Sequence, residues 1–458
     1  MLPAAGIGLP LLVVLGAILV LKPYYGIVDD AILLAYAHLP LSGFPDAWVD
    51  RVRYDVSSWG MVRPFYWALA YGEYSAGSES PTALYVLNWA VTGAVLAFAG
   101  YAIALALRVP RNRLGMFLAV YGAAVFIFPW TLDLFAFASY QEKWVILAAA
   151  LGLLWFAEPH ERMPAWQWYT VSALVVGLGS LTKAQFVVFL PAFCLLLLDH
   201  RRERRASWAR VVAVTAMGIV AAVALRAVAA RGDYTAGYGL SNVPDQLGSK
   251  YLWLVSAFAL AWTVYAVTRR EDLLRGLIPT AVYLAFVVVF AQWPGGFLWP
   301  LIGFVVAGAF ALAVSRLRSQ ALATTAVVAG LVWACTWIVV RTDELYSSLT
   351  SIGEFARSVP ARTLAANGTP VYISCEEGSA AIAGYVRSEQ GLPLSVRPRS
   401  ASPWSSAKGR EPPPGFRYAL VDDRLCPAAI DGAKWRAVWK PSRDGGFVLY
   451  ESTTENDG

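Results

Sequence analysis

The sequence predicts a mainly α, polytopic membrane protein of about 11 transmembrane helices, followed by a C-terminal extracytoplasmic α/β domain. Three observations carry that expectation. Of 458 residues, 58% are hydrophobic and only 15% charged, and the mean hydropathy is +0.52, too apolar for a water-soluble globule. Arginines gather in short loops between apolar runs, as cytoplasmic loops require. From about Thr342 the composition turns to that of a soluble domain, which divides the chain into 1–341, a membrane domain, and 342–458, an outer domain. The net charge of +6 sits in those inter-span clusters and excludes a nucleic-acid surface as its purpose.

Met1 to Leu21 carries no charge and is long enough for one span at about 1.5 Å per residue. It lacks a basic n-region and a small-residue cleavage site, so it reads as a retained helix and not a signal peptide. It ends at YYGIVDD, where Asp29 and Asp30 meet the membrane face. Carboxylates there are costly unless they meet water, a cation or a partner. The alternative is a solvated first helical turn, where Asp caps and complements the dipole.

Ala31 to His38 has helical spacing, and Ala47 to Gly72 mixes Trp, Tyr and Arg with apolar residues, as interfacial helices of an outer loop do. Spans follow at Leu84–Leu107, Gly115–Trp130 and Trp144–Ala157, and the outer loop before the last of these carries Asp133, Glu142 and Lys143. Ala165 to Leu198 is 34 residues long with Lys183 as its one charge, too long for a single crossing of ~20. The expected solution is a hairpin whose tip, at Thr182 and Lys183, lies below the headgroup plane. Five arginines in DHRRERRASWAR mark the next loop as cytoplasmic. Spans at Val211–Ala230, Tyr251–Val267, Gly276–Ala291, Phe297–Val314 and Ala321–Val340 complete the count, with Arg231 opening a Gly-rich outer loop.

This alternation puts the N-terminus inside and brings Asp29, Asp30, Glu142, Lys143, Lys183, Arg231 and the C-terminal domain to one outer face. In that domain Leu345 to Val359 is helix-like, VYISC, FRYALVDD, WRAVWK and GFVLY read as strands, and GSAAIAGYVRSEQG reads as a helix. Cys375 and Cys426 fall at strand ends, where an oxidising compartment permits a disulfide. Cys194 and Cys335 lie inside spans as small apolar groups.

The acidic pair after the first span, the carboxylate Glu142 before a later one, and GLGSLTKAQFVVFLP resemble the membrane-embedded GT-C glycosyltransferases. The likeness is to the branch of protein O-mannosyltransferases and lipid A aminoarabinose transferases, which often carry Asp-Glu where this chain has Asp-Asp. The resemblance implies a polyprenyl-phosphate sugar donor, an outer-face active site in a bacterial-type plasma membrane, and inversion at the anomeric carbon. The acceptor would be a glycan, lipid or protein of the cell envelope, surrounded by membrane lipids.

Such chemistry needs a base for the acceptor hydroxyl and positive charge for the departing phosphate. Asp29 or Asp30 supplies the base, and the family pattern points to Asp29. Lys183 is placed for the lipid phosphate, with Lys143 and Arg231 as further outer cations. Glu142 and Asp30 can hold a divalent cation, Mg, Mn or Ca, the one cofactor the residues suggest. A plain ion pair of Glu142 with Lys143 or a loop arginine fits equally well, and a snorkelling Lys183 remains the bland reading. The rival class is a transporter or flippase of a lipid-linked sugar, but no internal repeat of the kind transporters carry is visible.

Overall fold

The computed structural model describes residues 2–26, 33–34, 41–59, 61–77, 80–128, 131–158, 160, 162–199, 204–229, 250–269, 273–292, 299–317, 319–374, 379–396, 411–412, 415–422, 428–443 and 445–453. Asp29, Asp30, Arg231, His38, Cys375 and Cys426 lie outside these, as does most of Ala31–His38. The Cys375–Cys426 disulfide considered from the sequence therefore also falls outside them.

The apolar segments are helices. In order they are α1 (Leu2–Leu21), α2 (Phe44–Tyr54), α3 (Pro64–Gly77), α4 (Pro81–Ala106), α5 (Arg111–Ile127), the short α6 (Asp133–Ala136), α7 (Glu142–Ala157) and α8 (Ala165–Thr182). A 3₁₀ segment, Ala184–Phe189, leads into α9 (Leu190–Asp199), α10 (Arg204–Ala229), α11 (Lys250–Arg269), the single turn α12 (Leu273–Gly276), α13 (Ile278–Gln292), α14 (Trp299–Ser315) and α15 (Gln320–Arg357). Among the described residues, Pro81–Ala106, Ser207–Leu225 and Gln320–Arg357 are long and apolar enough to cross a membrane by length and composition alone. Helices α2 and α3 occupy the stretch expected to be interfacial.

Helix starts are marked in the sequence. Ser80 accepts from the Ala83 N–H at 3.1 Å with Pro81 as the first helical residue of α4, and Ser319 does the same for α15 at 3.3 Å from Leu322 N. Each such cap contributes about 1 kcal/mol.

Helices of a membrane bundle have little hydrophobic drive toward one another, so close backbone approach through small residues carries the packing. Gly6 of α1 shows it directly. A Cβ added there would stand 2.2 Å from Ala119 Cα of α5, and one added at Gly122 would stand 2.5 Å from Ile7 N. The two helices touch backbone to backbone at this crossing.

Helix α15 has 38 residues, or about 57 Å at 1.5 Å per residue. It runs unbroken through Thr342, where the composition changes, so the last apolar segment and the first helix of the C-terminal region are one rod. Beyond it come α16 (Val359–Ala366), β1 (Val371–Ile373), α17 (Ser379–Gln390), β2 (Tyr418–Asp422), β3 (Trp435–Trp439) and β4 (Phe447–Ser452). The sheet order is β1-β2-β4-β3; β1 and β2 are parallel, and the other pairs are antiparallel. All four expected strands and the helix between the first two are present. Phe447 N donates to Ser351 Oγ at 2.8 Å, fastening the sheet to α15.

Candidate active site

Helix α7 opens with its acidic residue in the first turn, where the helix dipole favours negative charge. That residue is Glu142, 2% exposed. Helix α8 stops at Thr182 because Lys183 turns to an extended conformation, φ −162° and ψ 134°, and the chain resumes as a 3₁₀ segment. The break stands at the expected hairpin tip. It directs Lys183 Nζ to donate to Glu142 Oε1, in a buried ion pair between residues 41 apart in sequence. A lysine buried in an ion pair is not snorkelling to water, so the bland reading of Lys183 does not describe it.

Lys143, one residue on, points elsewhere. It is fully buried, and its ammonium donates to Glu73 Oε1 at 2.8 Å, Asn88 Oδ1 at 2.6 Å and Ala138 O at 2.8 Å. Three acceptors match the three donors of an ammonium. Lys143 thus ties α3, α4 and the start of α7 together, and Glu142 pairs across the site with Lys183 in place of its neighbour. Asn88 Nδ2 in turn donates to the Leu134 and Phe135 carbonyls at 3.0 Å each, holding α6 in place.

Asp133 of α6 faces Arg341 of α15 at 3.6 Å, and Arg341 also reaches Glu344 Oε2 at 2.9 Å. Burial pushes the Asp133 carboxyl up to about 6; Arg341 pulls it down and Glu142 pushes it further up. The Tyr140 hydroxyl is raised well above its ordinary value by burial, then by Glu142 and Asp133. Asp133, Tyr140, Glu142, Lys183 and Arg341 therefore share one electrostatic neighbourhood at one end of α7.

The other end of α7 carries a second polar knot. Arg275 donates Nε to Asp199 Oδ2 at 2.6 Å, Nη1 to the Ala106 carbonyl at 3.0 Å and Nη2 to the Ala157 carbonyl at 3.4 Å. Arg108 joins Asp199 at 2.9 Å. Guanidinium donors there satisfy helix-terminal carbonyls that have no partner within their own helices.

Two solved structures resemble this arrangement along its whole length. ArnT from Cupriavidus metallidurans in the apo state aligns with a TM-score of 0.50 and 15% identity, covering 97% of each chain. The same protein bound to undecaprenyl phosphate aligns with a TM-score of 0.52 and 12% identity, over 98% of this chain and 97% of that one. ArnT is a lipid A aminoarabinose transferase of the GT-C superfamily. The chain has the GT-C fold. No protein-family model and no curated protein matches the sequence.

Within this GT-C fold the described residues bring Glu142 and Lys183 together and turn Lys143 away into the helix packing. Among them no group of three or more His, Cys, Asp or Glu side chains is gathered for a metal, and the proposed cation partner Asp30 is not described. Sequence reasoning passed over Glu73, Asn88 and Arg341. Glu73 and Asn88 carried a signal, being lone polar groups within apolar helices; Arg341 stands one residue past the last expected span, Ala321–Val340.

Proposed function

We propose that this GT-C protein is an inverting glycosyltransferase. It moves a hexosyl or pentosyl group from a polyprenyl-phosphate donor to a cell-envelope glycan, lipid or protein acceptor at the outer face of the membrane. The observation that carries the reading is the buried Lys183–Glu142 pair at the hairpin tip, in a fold one of whose neighbours is bound to undecaprenyl phosphate. The likeness of fold to a transferase also favours an enzyme over a transporter or flippase.

In the reaction Asp29 takes the acceptor hydroxyl proton as the new C1–O bond forms opposite the departing phosphate. The C1–O bond to the phosphate breaks, and its electron pair leaves with the polyprenyl phosphate. The ammonium of Lys183, held by Glu142, stabilises the phosphate charge in a site shielded from water, where such a contact is stronger than in bulk. Asp30 shapes the site beside Asp29, and Arg231 adds outer positive charge. A divalent cation on Asp30 and Glu142 would have to open the Glu142–Lys183 pair, which favours the ion-pair role for Glu142.

The same reading has eleven crossings, an inner N-terminus, and an outer domain from 342–458. It is tested by mass spectrometry of envelope glycans from cells lacking the protein, complemented with wild type or with the Asp29→Asn and Asp30→Asn double variant. A missing glycan restored by wild type alone supports it. An unchanged glycan profile, or full rescue by the double variant, overturns it.

A further inference from the structure

A cavity of about 290 Å³ opens at the end of α7 remote from Glu142, lined by Leu105, Arg108, Leu154, Ala157, Glu158 and Arg275. It is too large for one bridging water at about 30 Å³ and close to the ~300 Å³ at which small-ligand sites begin. Helices α4 and α7 pack side by side, and both end here. Arg275 holds the carbonyls of their last residues, Ala106 and Ala157, together with that of Leu105 at 3.3 Å. Asp199, at the end of α9, accepts from both Arg275 and Arg108. The Arg275 side chain is 4% exposed and forms a fixed wall, whereas half of the Arg108 side chain remains accessible.

Arg108 lies just past the cap of α4 in the left-handed conformation, φ 52°, at a position where helices commonly place glycine. Its N–H donates to the Leu105 carbonyl at 3.0 Å and that of Val109 to the Ala104 carbonyl at 2.8 Å. Such backbone is retained where the side chain has a use. Capping Asp199 is a weak use, because Asp199 already has the buried Arg275.

The surface leading into the cavity is apolar. Tyr101 and Leu105 stand one turn apart on α4, as do Leu151 and Leu154 on α7, with Tyr101, Leu105 and Leu151 exposed. Each pair is followed by a charge, Arg108 and Glu158, both exposed. Acyl chains fit the first part of that surface and a headgroup the second. Around the cavity Arg108 and Arg275 balance Glu158 and Asp199, and each helix end adds about half a negative charge. A net-anionic headgroup gains little from that balance. A zwitterion matches it, with phosphate toward arginine and ammonium toward Glu158.

We infer that this cavity binds a phospholipid with a phosphoethanolamine headgroup, its phosphate on Arg108, its primary ammonium on Glu158, and its acyl chains along the α4–α7 face. Such a site stands independently of the transferase reading, at the opposite end of α7 from Lys183.

The test uses delipidated full-length protein in detergent, titrated with dioleoyl phosphatidylethanolamine, phosphatidylcholine or phosphatidylglycerol and read by native mass spectrometry. Loss of one charge-assisted hydrogen bond at this accessible site predicts about a tenfold change in affinity. Wild type should hold phosphatidylethanolamine about tenfold more tightly than phosphatidylcholine, whose methylated ammonium cannot donate, and than phosphatidylglycerol, which has no amine. Glu158→Ala should bring phosphatidylethanolamine and phosphatidylcholine within about twofold of each other. Arg108→Gly relieves the left-handed backbone and loses only a half-exposed ion pair. It should weaken phosphatidylethanolamine about tenfold while melting no lower than wild type. A lower melting temperature with unchanged lipid affinity would make Arg108 a cap and overturn the inference; if Arg108→Gly fails to fold, the exposed Glu158→Ala decides. Equal wild-type affinity for the three lipids, meaning general annular contact, or a preference for phosphatidylglycerol also overturns it. So does competition by soluble O-phosphoethanolamine at the lipid's own concentration, which would give the cavity to a free phosphate ester.

Discussion

Lys183 and Glu142 form an ion pair that joins the end of α8 to the beginning of α7, with side chains 10% and 3% exposed. Removing water from two opposite charges is costly, and the attraction recovers that cost only while both partners remain.

Lys183→Ala is therefore expected to do two things. It leaves Glu142 buried without its cation, lowering thermal stability, and it weakens undecaprenyl phosphate binding by about one to two decades, the worth of a charge-assisted hydrogen bond. Lys183→Arg should recover part of the binding, because a forked guanidinium does not reproduce a point-like ammonium. Titration of the purified variants with undecaprenyl phosphate reads the effect. Unchanged affinity in Lys183→Ala would confine the residue to a structural part.

Asp29→Asn keeps size and hydrogen bonding but cannot accept a proton. Turnover should fall by about 10²- to 10⁴-fold with donor binding retained. Asp30→Asn should change acceptor affinity or cation dependence more than the chemical step. Single-turnover rates measured beside donor affinity separate the two, and an inactive Asp30→Asn with an active Asp29→Asn would exchange the roles.

Lys143 is held within the helix packing by Glu73, Asn88 and the Ala138 carbonyl. Glu73→Gln or Lys143→Met alone should cost about 3–5 kcal/mol by leaving the other charge buried, whereas the double change should cost much less. Denaturation in detergent checks this, with undecaprenyl phosphate affinity of the double variant expected near wild type.

Asp133 adds a pH dependence. Its carboxyl rises from 3.8 to about 6 in the folded protein, so between those values the native state binds more protons than the unfolded one. Stability conferred by the neutral acid is present below pH 3.8, declines as pH rises toward 6, and is flat above. The span corresponds to roughly 3 kcal/mol at most. Asp133→Asn should flatten that part of the melting-temperature profile and melt higher than wild type at pH 7. A wild-type slope in the variant would contradict the assignment.

The orientation of the chain is a separate expectation. A cysteine introduced near Gly409 should react with an impermeant reagent in intact cells, as the arginine distribution argues. Reaction only after permeabilisation would move the proposed site to the inner face.

Much of the helical frame was legible, because long apolar runs between arginine clusters have few alternatives. The break at Lys183 was legible too: a largely apolar stretch of 34 residues is too long for a single crossing. Pairings were not. Lys143 finds Glu73 at a separation of 70 residues, and nothing local distinguishes it from the adjacent Glu142, whose partner lies 41 residues the other way. A 100° step along the helix sends the two side chains to different neighbours, and only packing decides which. The continuity of α15 was hidden because composition changes at Thr342 while the backbone hydrogen bonding does not.

Thr350 Oγ1 of α15 donates to the carbonyl of Leu21, the last residue of α1, at 2.8 Å, and this contact has a consequence for biosynthesis. The first helix made is completed by a residue 329 positions later. At about 5–20 residues per second, the end of α1 waits roughly 15 seconds to a minute before that partner leaves the ribosome. A nascent chain released earlier has its first helix in place but lacks the Thr350 hydroxyl that caps the carbonyl of Leu21.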